Sequence, residues 1–236
     1  MTTHYDEEAQ VEELRRWWKE NWFALALGLA LGFAVIFGLQ AFKARRDAQR
    51  MEASRLYEDL QQAVRLHKDS DADTMGKRLV DEFSATPYAA QAQLQLADNA
   101  VVGGRLDDAH TRLQWVIDFE QQSSVGDWLH RVLPMVPAGT GRDPALGDLA
   151  RLRLARVLWQ MGKGEDALAL LKLPHDAAFN ALYAELRGDL MLSRNDRAGA
   201  RAAYAEALKS LSADARNRDQ LQQKLDSLAD VAGSAS

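Results

Sequence analysis

An uncharged apolar stretch near the N-terminus limits most what this chain can fold into. Residues 21 to 42 contain no ionisable side chain, and a helix of that length at about 1.5 Å per residue measures roughly 33 Å, enough to cross a bilayer hydrocarbon core of about 30 Å. A core helix of a water-soluble protein would carry a polar stripe, but only Asn21 and Gln40, one at each end, are polar here. The stretch is therefore too uniformly apolar for an ordinary core helix.

A cleaved signal peptide would combine a shorter apolar region with a basic start. The first twenty residues of this chain instead hold six acidic and three basic side chains. Trp17, Trp18 and Trp22 lie at one end of the stretch, where amphipathic rings favour the headgroup layer. We predict an uncleaved transmembrane helix over residues 21–42, in direct contact with the lipid bilayer.

Basic residues flank the predicted span on both sides. Three precede it and four follow it: Arg15, Arg16 and Lys19, then Lys43, Arg45, Arg46 and Arg50. The positive-inside rule is weak when a long domain follows the span, because such a domain is translocated largely regardless of charge. The flanking charges therefore leave both orientations open.

Small residues recur at every fourth position of the span, at Ala24, Gly28 and Gly32. A face of this kind lets a second helix approach closely. Glycine and alanine are also common in spans without any such role. We predict a helix-packing face at these three residues, with ordinary span composition as the alternative.

The composition argues against several classes of function. The net charge is −5, which disfavours a nucleic-acid partner. There is no cysteine, and the five histidines lack the spacing of a zinc helix. We find no catalytic, cofactor-binding or metal-binding pattern, and we predict a protein that is not an enzyme.

Three windows after the span share one register, and no alternating pattern of any length is present. In each window a small residue is followed seven positions later by a turn residue, then after five positions by an alanine, and after four more by a larger apolar residue. The three sets are Ala97, Gly104, Ala109 and Leu113; Ala155, Gly162, Ala167 and Leu171; and Gly188, Asn195, Ala200 and Tyr204, which Ala207 follows.

This register predicts helical hairpins. The small residue lets the second helix cross the first closely, and the turn residue adopts the left-handed conformation that ends the first helix. The spacing resembles the tetratricopeptide repeat, most fully in the last unit. The expected fold is all-α, with one N-terminal transmembrane helix followed by a tetratricopeptide-repeat-like solenoid of hairpins.

One hairpin-to-hairpin step is longer than the other. Ala167 and Ala200 are 33 residues apart, whereas Ala109 and Ala167 are 58 apart. We assign the extra residues to an inserted segment at 123–147, which is dense in Pro and Gly. Its apolar side chains predict either a contact for a partner or a short helix folded onto the repeats. The candidate contact residues are Trp128, Leu129, Leu133 and Met135.

Three segments resemble a bacterial family, the ancillary subunits of the SecYEG translocon. They are "QVEELRRWWKEN" before the span, "LRLARVLWQ", and "LRGDLMLSRNDRAGAR". The resemblance implies a single-pass protein of the inner membrane, with residues 1–20 in the cytoplasm and the helical domain in the periplasm. We predict that the span covers 21–42, the helical domain 43–228 and a flexible tail 229–236.

The resemblance also implies partners. They are the SecYEG translocon, a membrane-anchored periplasmic chaperone of the prolyl-isomerase type, and unfolded secretory clients. The residues alone reach only an anchored helical-repeat binding protein, an inference from fold analogy. A scaffold of the cell envelope in division or wall assembly is the alternative function.

Overall fold

The computed structural model describes residues 3–121, 132, 143–212 and 215–233. Apart from turns, these residues form helices, with no strand among them. The helices are α1 Thr3–Arg65, α2 Asp69–Phe83, α3 Pro87–Val102, α4 Leu106–Gln121, α5 Pro144–Gln160, α6 Gly164–Leu170, α7 Asn180–Ser193, α8 Arg197–Ser210 and α9 Arg218–Gly233, with a 3-10 turn at Ala177–Phe179 before α7. The chain divides into two units, residues 1–51 and 52–236.

The first unit contains the N-terminal part of α1. Within the described residues, α1 is the one helix that is long and apolar enough to cross a membrane, and none of its most apolar window is buried. The amide of Asn21 donates a hydrogen bond of 2.9 Å to the backbone oxygen of Trp17. That bond satisfies one polar group at the start of the predicted span. The side chains of Trp17, Trp18 and Trp22 are all exposed, as interfacial anchors would be.

The second unit is a stack of helical hairpins. Helix α3 packs on α4, α5 on α6, and α7 on α8, and the first helices also contact one another, α3 with α5 and α5 with α7. The core of the first hairpin joins residues 53–63 of α1 to α2 and to α3 through Ala53, Leu60, Leu79 and Leu96. An all-α fold with hairpins in sequence is what the repeated register predicts.

The turns inside the hairpins use the left-handed backbone region. Gly104 has φ 72°, Gly162 has φ 78° and Asn195 has φ 64°. Glycine takes this conformation without a steric cost, and asparagine takes it more readily than most other residues. Each of the three turn residues selected by the register thus ends the first helix of its hairpin.

Two boundaries differ from those expected from the sequence. Helix α5 begins at Pro144, so the end of the predicted inserted segment, 144–147, belongs to a repeat helix. The reason is local: Asp143 caps the helix by accepting a 3.0 Å hydrogen bond from the Ala145 amide, and Pro144 occupies the first turn. Helix α9 extends to Gly233, past the expected end of the helical domain at residue 228.

Candidate functional site

The residues of the repeated register build the cores of the hairpins. Six alanines of the register and Tyr204 are at most 1% exposed: Ala97, Ala109, Ala155, Ala167, Ala200, Ala207 and Tyr204. Gly188 is buried as well, because a Cβ atom there would overlap the ring of Tyr204. These side chains hold helices together and are not available to a partner, so a binding surface has to lie on other positions.

The next positions in the same register are accessible. One residue after each small residue comes a charged side chain, at Asp98, Arg156 and Asp189. Positions one and four after the small residue lie on the same helix face, because they are three residues apart. The fourth position carries an apolar residue each time, and two of these, Trp159 and Leu192, are 37% exposed.

All of these residues except Leu192 line two adjoining depressions. The first, of about 430 Å³, lies between α3 and α5 and includes Asp98, Val102 and Arg153. The second, of about 340 Å³, lies between α5 and α7 and includes Trp159 and Asp189. Arg156 and Gln160 line both depressions. We call the combined depression the first-helix groove, because the first helices of the hairpins form its walls.

Charges at the α3 end of the groove are paired. The Arg153 guanidinium donates from Nη1 to Asp98 Oδ2 at 2.7 Å and lies 3.5 Å from the backbone oxygen of Leu94. Burial raises the pKa of the Asp98 carboxyl above its ordinary value, and the nearby charge of Arg153 only partly offsets that rise. The pair supplies a polar wall with no net charge.

Charges at the other end of the groove form a cluster that ties α9 to α7. Lys224 Nζ donates to Glu185 Oε1 at 2.8 Å and to the two Asp189 oxygens at 2.8 and 3.0 Å. Burial lowers the pKa of Lys224, but these hydrogen bonds outweigh it, so the pKa is raised overall. The Tyr204 hydroxyl donates to Asp189 Oδ1 at 2.7 Å, and its pKa is raised by burial and by Asp189.

Arg156 lies between these two ends, and unlike the charged residues there it has no charged partner among the described residues. Its side chain is exposed, and among the described residues it makes no hydrogen bond or ion pair. It follows directly on the buried Ala155, so the register directs it into the groove. The middle of the groove therefore presents one unpaired positive charge beside Trp159.

A buried polar network holds α5 and α7 together. The Tyr183 hydroxyl donates a 2.8 Å hydrogen bond to the backbone oxygen of Asp148. The Asp148 carboxylate lies 3.1 Å from Arg151 and accepts a hydrogen bond of 2.9 Å from the Asp176 amide. The His175 ring stacks on Tyr183 with centroids 3.9 Å apart. The two walls of the second depression are thereby fixed relative to each other.

The other sequence candidates have different surroundings. Ala24, Gly28 and Gly32 lie exposed on α1, and no atom lies within 4 Å of a Cβ built on either glycine. The face that they form is therefore open within the chain. The candidate contact residues of the inserted segment, Trp128, Leu129, Leu133 and Met135, lie outside the described residues.

The described parts of the chain contain no group of three His, Asp or Glu side chains placed to hold a metal ion. They also offer no nucleophile beside a base in the groove. The groove presents exposed apolar side chains, those of Trp159 and Val102, beside the charged side chain of Arg156.

Sequence reasoning missed the groove, although the signal was present. It identified only the repeated spacing of small residues. The accessible face follows from the same register by counting one and four residues onward, from Ala155 to Arg156 and Trp159. Lys224 carried no such signal, because its partners are 35 and 39 residues away in the sequence.

Comparison with known proteins gives two results. The profile of a family described as "Tetratricopeptide repeat-like domain" matches residues 15–133 and 132–230.

Curated proteins named "Ancillary SecYEG translocon subunit" are similar to this chain over most of their length. The protein of Escherichia coli (strain K12) is 30% identical over 89% of this chain and 91% of the relative. The protein of Neisseria gonorrhoeae is 28% identical over 97% of this chain and 100% of the relative. The protein of Haemophilus influenzae is 25% identical over 89% of this chain and 92% of the relative.

Proposed function

We propose a function for this chain from one premise: it belongs to the family of ancillary SecYEG translocon subunits and carries a tetratricopeptide repeat-like domain. We propose that the chain is a non-enzymatic subunit that associates with the SecYEG translocon. It is anchored in the bacterial inner membrane by the apolar part of α1. The apolar length of that helix and the name shared by the relatives support this assignment.

The proposed orientation has the N-terminus in the cytoplasm and the helical domain in the periplasm. The flanking charges do not favour it, so its support is the translocon association of the relatives. A topology reporter fused after Ser236 tests it. A periplasmic reporter should be active in that fusion, and activity of a cytoplasmic reporter alone would contradict the orientation.

The proposed task of the helical domain is to hold a protein segment near the translocon. The segment belongs either to an emerging, unfolded secretory client or to a membrane-anchored periplasmic chaperone of the prolyl-isomerase type. The observation that carries this proposal is the first-helix groove, where exposed apolar side chains alternate with charges over three successive hairpins. Stacked hairpins with such a surface bind peptides and protein segments.

Site-specific photo-crosslinking tests the groove directly. A crosslinker at Trp159 should capture clients or the chaperone, whereas one at Arg201, exposed on the second helix α8, should capture neither. Equal capture from both positions would contradict a role for the groove. Co-purification in mild detergent supplies the second test, and the absence of both SecYEG and periplasmic chaperones would contradict the proposal as a whole.

The inserted segment 123–147 is proposed as a further contact, through Trp128, Leu129, Leu133 and Met135. Its apolar side chains beside glycines and prolines support this proposal. A crosslinker at Trp128 tests it. Failure to obtain adducts with a partner or client would leave these residues only a packing role.

A further inference from the structure

We infer that the centre of the first-helix groove recognises a partner segment with one carboxylate flanked by large apolar side chains, and that Arg156 contacts the carboxylate. The inference rests on the proposed function of the groove and names the chemistry of its occupant. It follows from the pairing of the charges that line the groove.

Three charged residues occupy the same register position on α3, α5 and α7. Asp98 is paired with Arg153 at 2.7 Å. Asp189 accepts hydrogen bonds from both Lys224 and Tyr204. Among the described residues, Arg156 alone of these three makes no ion pair or hydrogen bond. Of these three charges, the one left for a partner to neutralise is therefore the positive charge of Arg156.

The surroundings of Arg156 make it more than a solvated surface charge. It lines both depressions together with Gln160, one helical turn away, whose side-chain amide is also exposed. Trp159 and the 88% exposed side chain of Val102 provide apolar surface in the same groove. A segment lying there would bury apolar side chains against these residues and exclude water from the guanidinium. A carboxylate suits that site, because an arginine guanidinium binds carboxylates with two parallel hydrogen bonds.

The other charges near the groove limit how strongly it prefers a segment with a carboxylate. Glu185 and Asp189 share the single ammonium group of Lys224, so the α9 end of the groove keeps a net negative charge. That negative charge repels a carboxylate at the α9 end, so the attraction for a carboxylate is strongest at Arg156. For the same reason the groove favours a single carboxylate flanked by uncharged side chains over a run of acidic residues. We expect a selectivity of about fivefold, as for a partly exposed ion pair.

Binding of three matched peptides to the full chain in nanodiscs tests the inference. Each peptide is short and fluorescently labelled, and its central residue, Glu, Gln or Lys, lies between Leu and Phe. At low salt the Glu peptide should bind the wild-type protein about fivefold more tightly than the Gln peptide and more tightly still than the Lys peptide. Arg156→Gln should remove the preference, and Arg156→Glu should reverse it in favour of the Lys peptide. Arg201→Gln, an exposed arginine on α8, is the matched control and should leave the preference unchanged.

Trp159→Ala separates this inference from the proposed function of the groove. If all three peptides bind the wild-type protein equally and Trp159→Ala weakens them all, the groove binds segments without charge selection and the inference is overturned. If no peptide binds, or if Trp159→Ala changes no affinity, the proposed binding role of the groove is contradicted, and the inference with it. Thermal unfolding of each variant confirms that the fold is retained.

Discussion

The ring of Tyr204 lies against the backbone of Gly188, so closely that a Cβ atom on Gly188 would overlap the ring carbon Cε1. In the two earlier hairpins the same two register positions carry Ala97 and Leu113, and Ala155 and Leu171, all of which belong to one buried cluster. Glycine at the first position thus accompanies the largest side chain at the second, and alanine accompanies leucine. Size complementarity between the two helices, rather than residue identity, is what the three hairpins share.

Gly188→Ala should destabilise the helical domain. Overpacking against Tyr204 should lower the free energy of unfolding by about 1 to 3 kcal/mol. The better helix propensity of alanine offsets at most about 1 kcal/mol of that loss. Thermal unfolding followed by circular dichroism measures the change. The combined variant Gly188→Ala and Tyr204→Leu, which copies the pairing of the middle hairpin, should lose less stability than the sum of its single variants. Gly164→Ala is the control, because no atom lies within 4 Å of a Cβ at that position.

Replacement of the turn glycines should cost stability for a different reason. No atom lies within 4 Å of a Cβ on Gly104 or Gly162, so an alanine side chain meets no obstacle there. The positive φ at both positions still costs an L-residue about 1 kcal/mol. We expect Gly104→Ala and Gly162→Ala each to lower the free energy of unfolding by about that amount in denaturant titrations. Asn195→Gly should be tolerated, and a stabilising effect of Gly104→Ala would contradict the reasoning.

Removal of the ammonium group of Lys224 should loosen α9. In Lys224→Met, Glu185 and Asp189 would face each other without a counter-ion. Loss of one partner from a fully buried cluster costs more, but these side chains are 26% to 37% exposed, so we expect about 1 to 2 kcal/mol. In hydrogen exchange, Lys224→Met should raise the exchange rate of the α9 amides relative to the wild-type protein, and it should raise that of the α5 amides less. Lys209→Met, at an exposed position of α8, is the control. Adding Glu185→Gln and Asp189→Asn to Lys224→Met should restore part of the lost stability, because the uncompensated carboxylates are then removed.

Alkaline pH should destabilise the helical domain through its buried tyrosines. Burial, and then the charge of Asp148, raises the pKa of Tyr183 to about 12, from an unfolded value of 10.0. Below pH 10 both states keep the proton, so stability does not depend on this group. As the pH rises towards 12, the unfolded state loses the proton first, and stability falls by at most about 1.4 kcal/mol per pH unit. Denaturant unfolding at a series of alkaline pH values measures the slope. Tyr183→Phe should reduce it, and an unchanged slope would contradict the assignment.

The parts of the fold with a local signal were predictable from the sequence. The span follows from an uncharged run of sufficient length, and the hairpins follow from the distances between Ala155, Gly162 and Ala167. These features depend on neighbouring residues along the chain, which periodicity and turn chemistry describe.

The parts that depend on distant residues were not predictable. Lys224 finds Glu185 and Asp189 across more than thirty residues, and Arg153 meets Asp98 across 55. An ion pair of this kind has no spacing rule, so no sequence pattern distinguishes Arg153, which is paired, from Arg156, which is not. The unpaired charge inside the groove follows from that difference, which only the packed first helices reveal.

The small-residue face of α1 supports a final prediction about translocon association. We propose that Ala24, Gly28 and Gly32 pack against a helix of the translocon, because a face of small residues allows close backbone approach. Gly28→Ile combined with Gly32→Ile should lower the amount of co-purified SecYEG by about fivefold, as expected for loss of a modest helix contact. Leu27→Ile combined with Leu31→Ile alters a neighbouring face without filling the small-residue face, and it should leave co-purification unchanged. Equal recovery of SecYEG with both double variants would assign the association to another part of the chain.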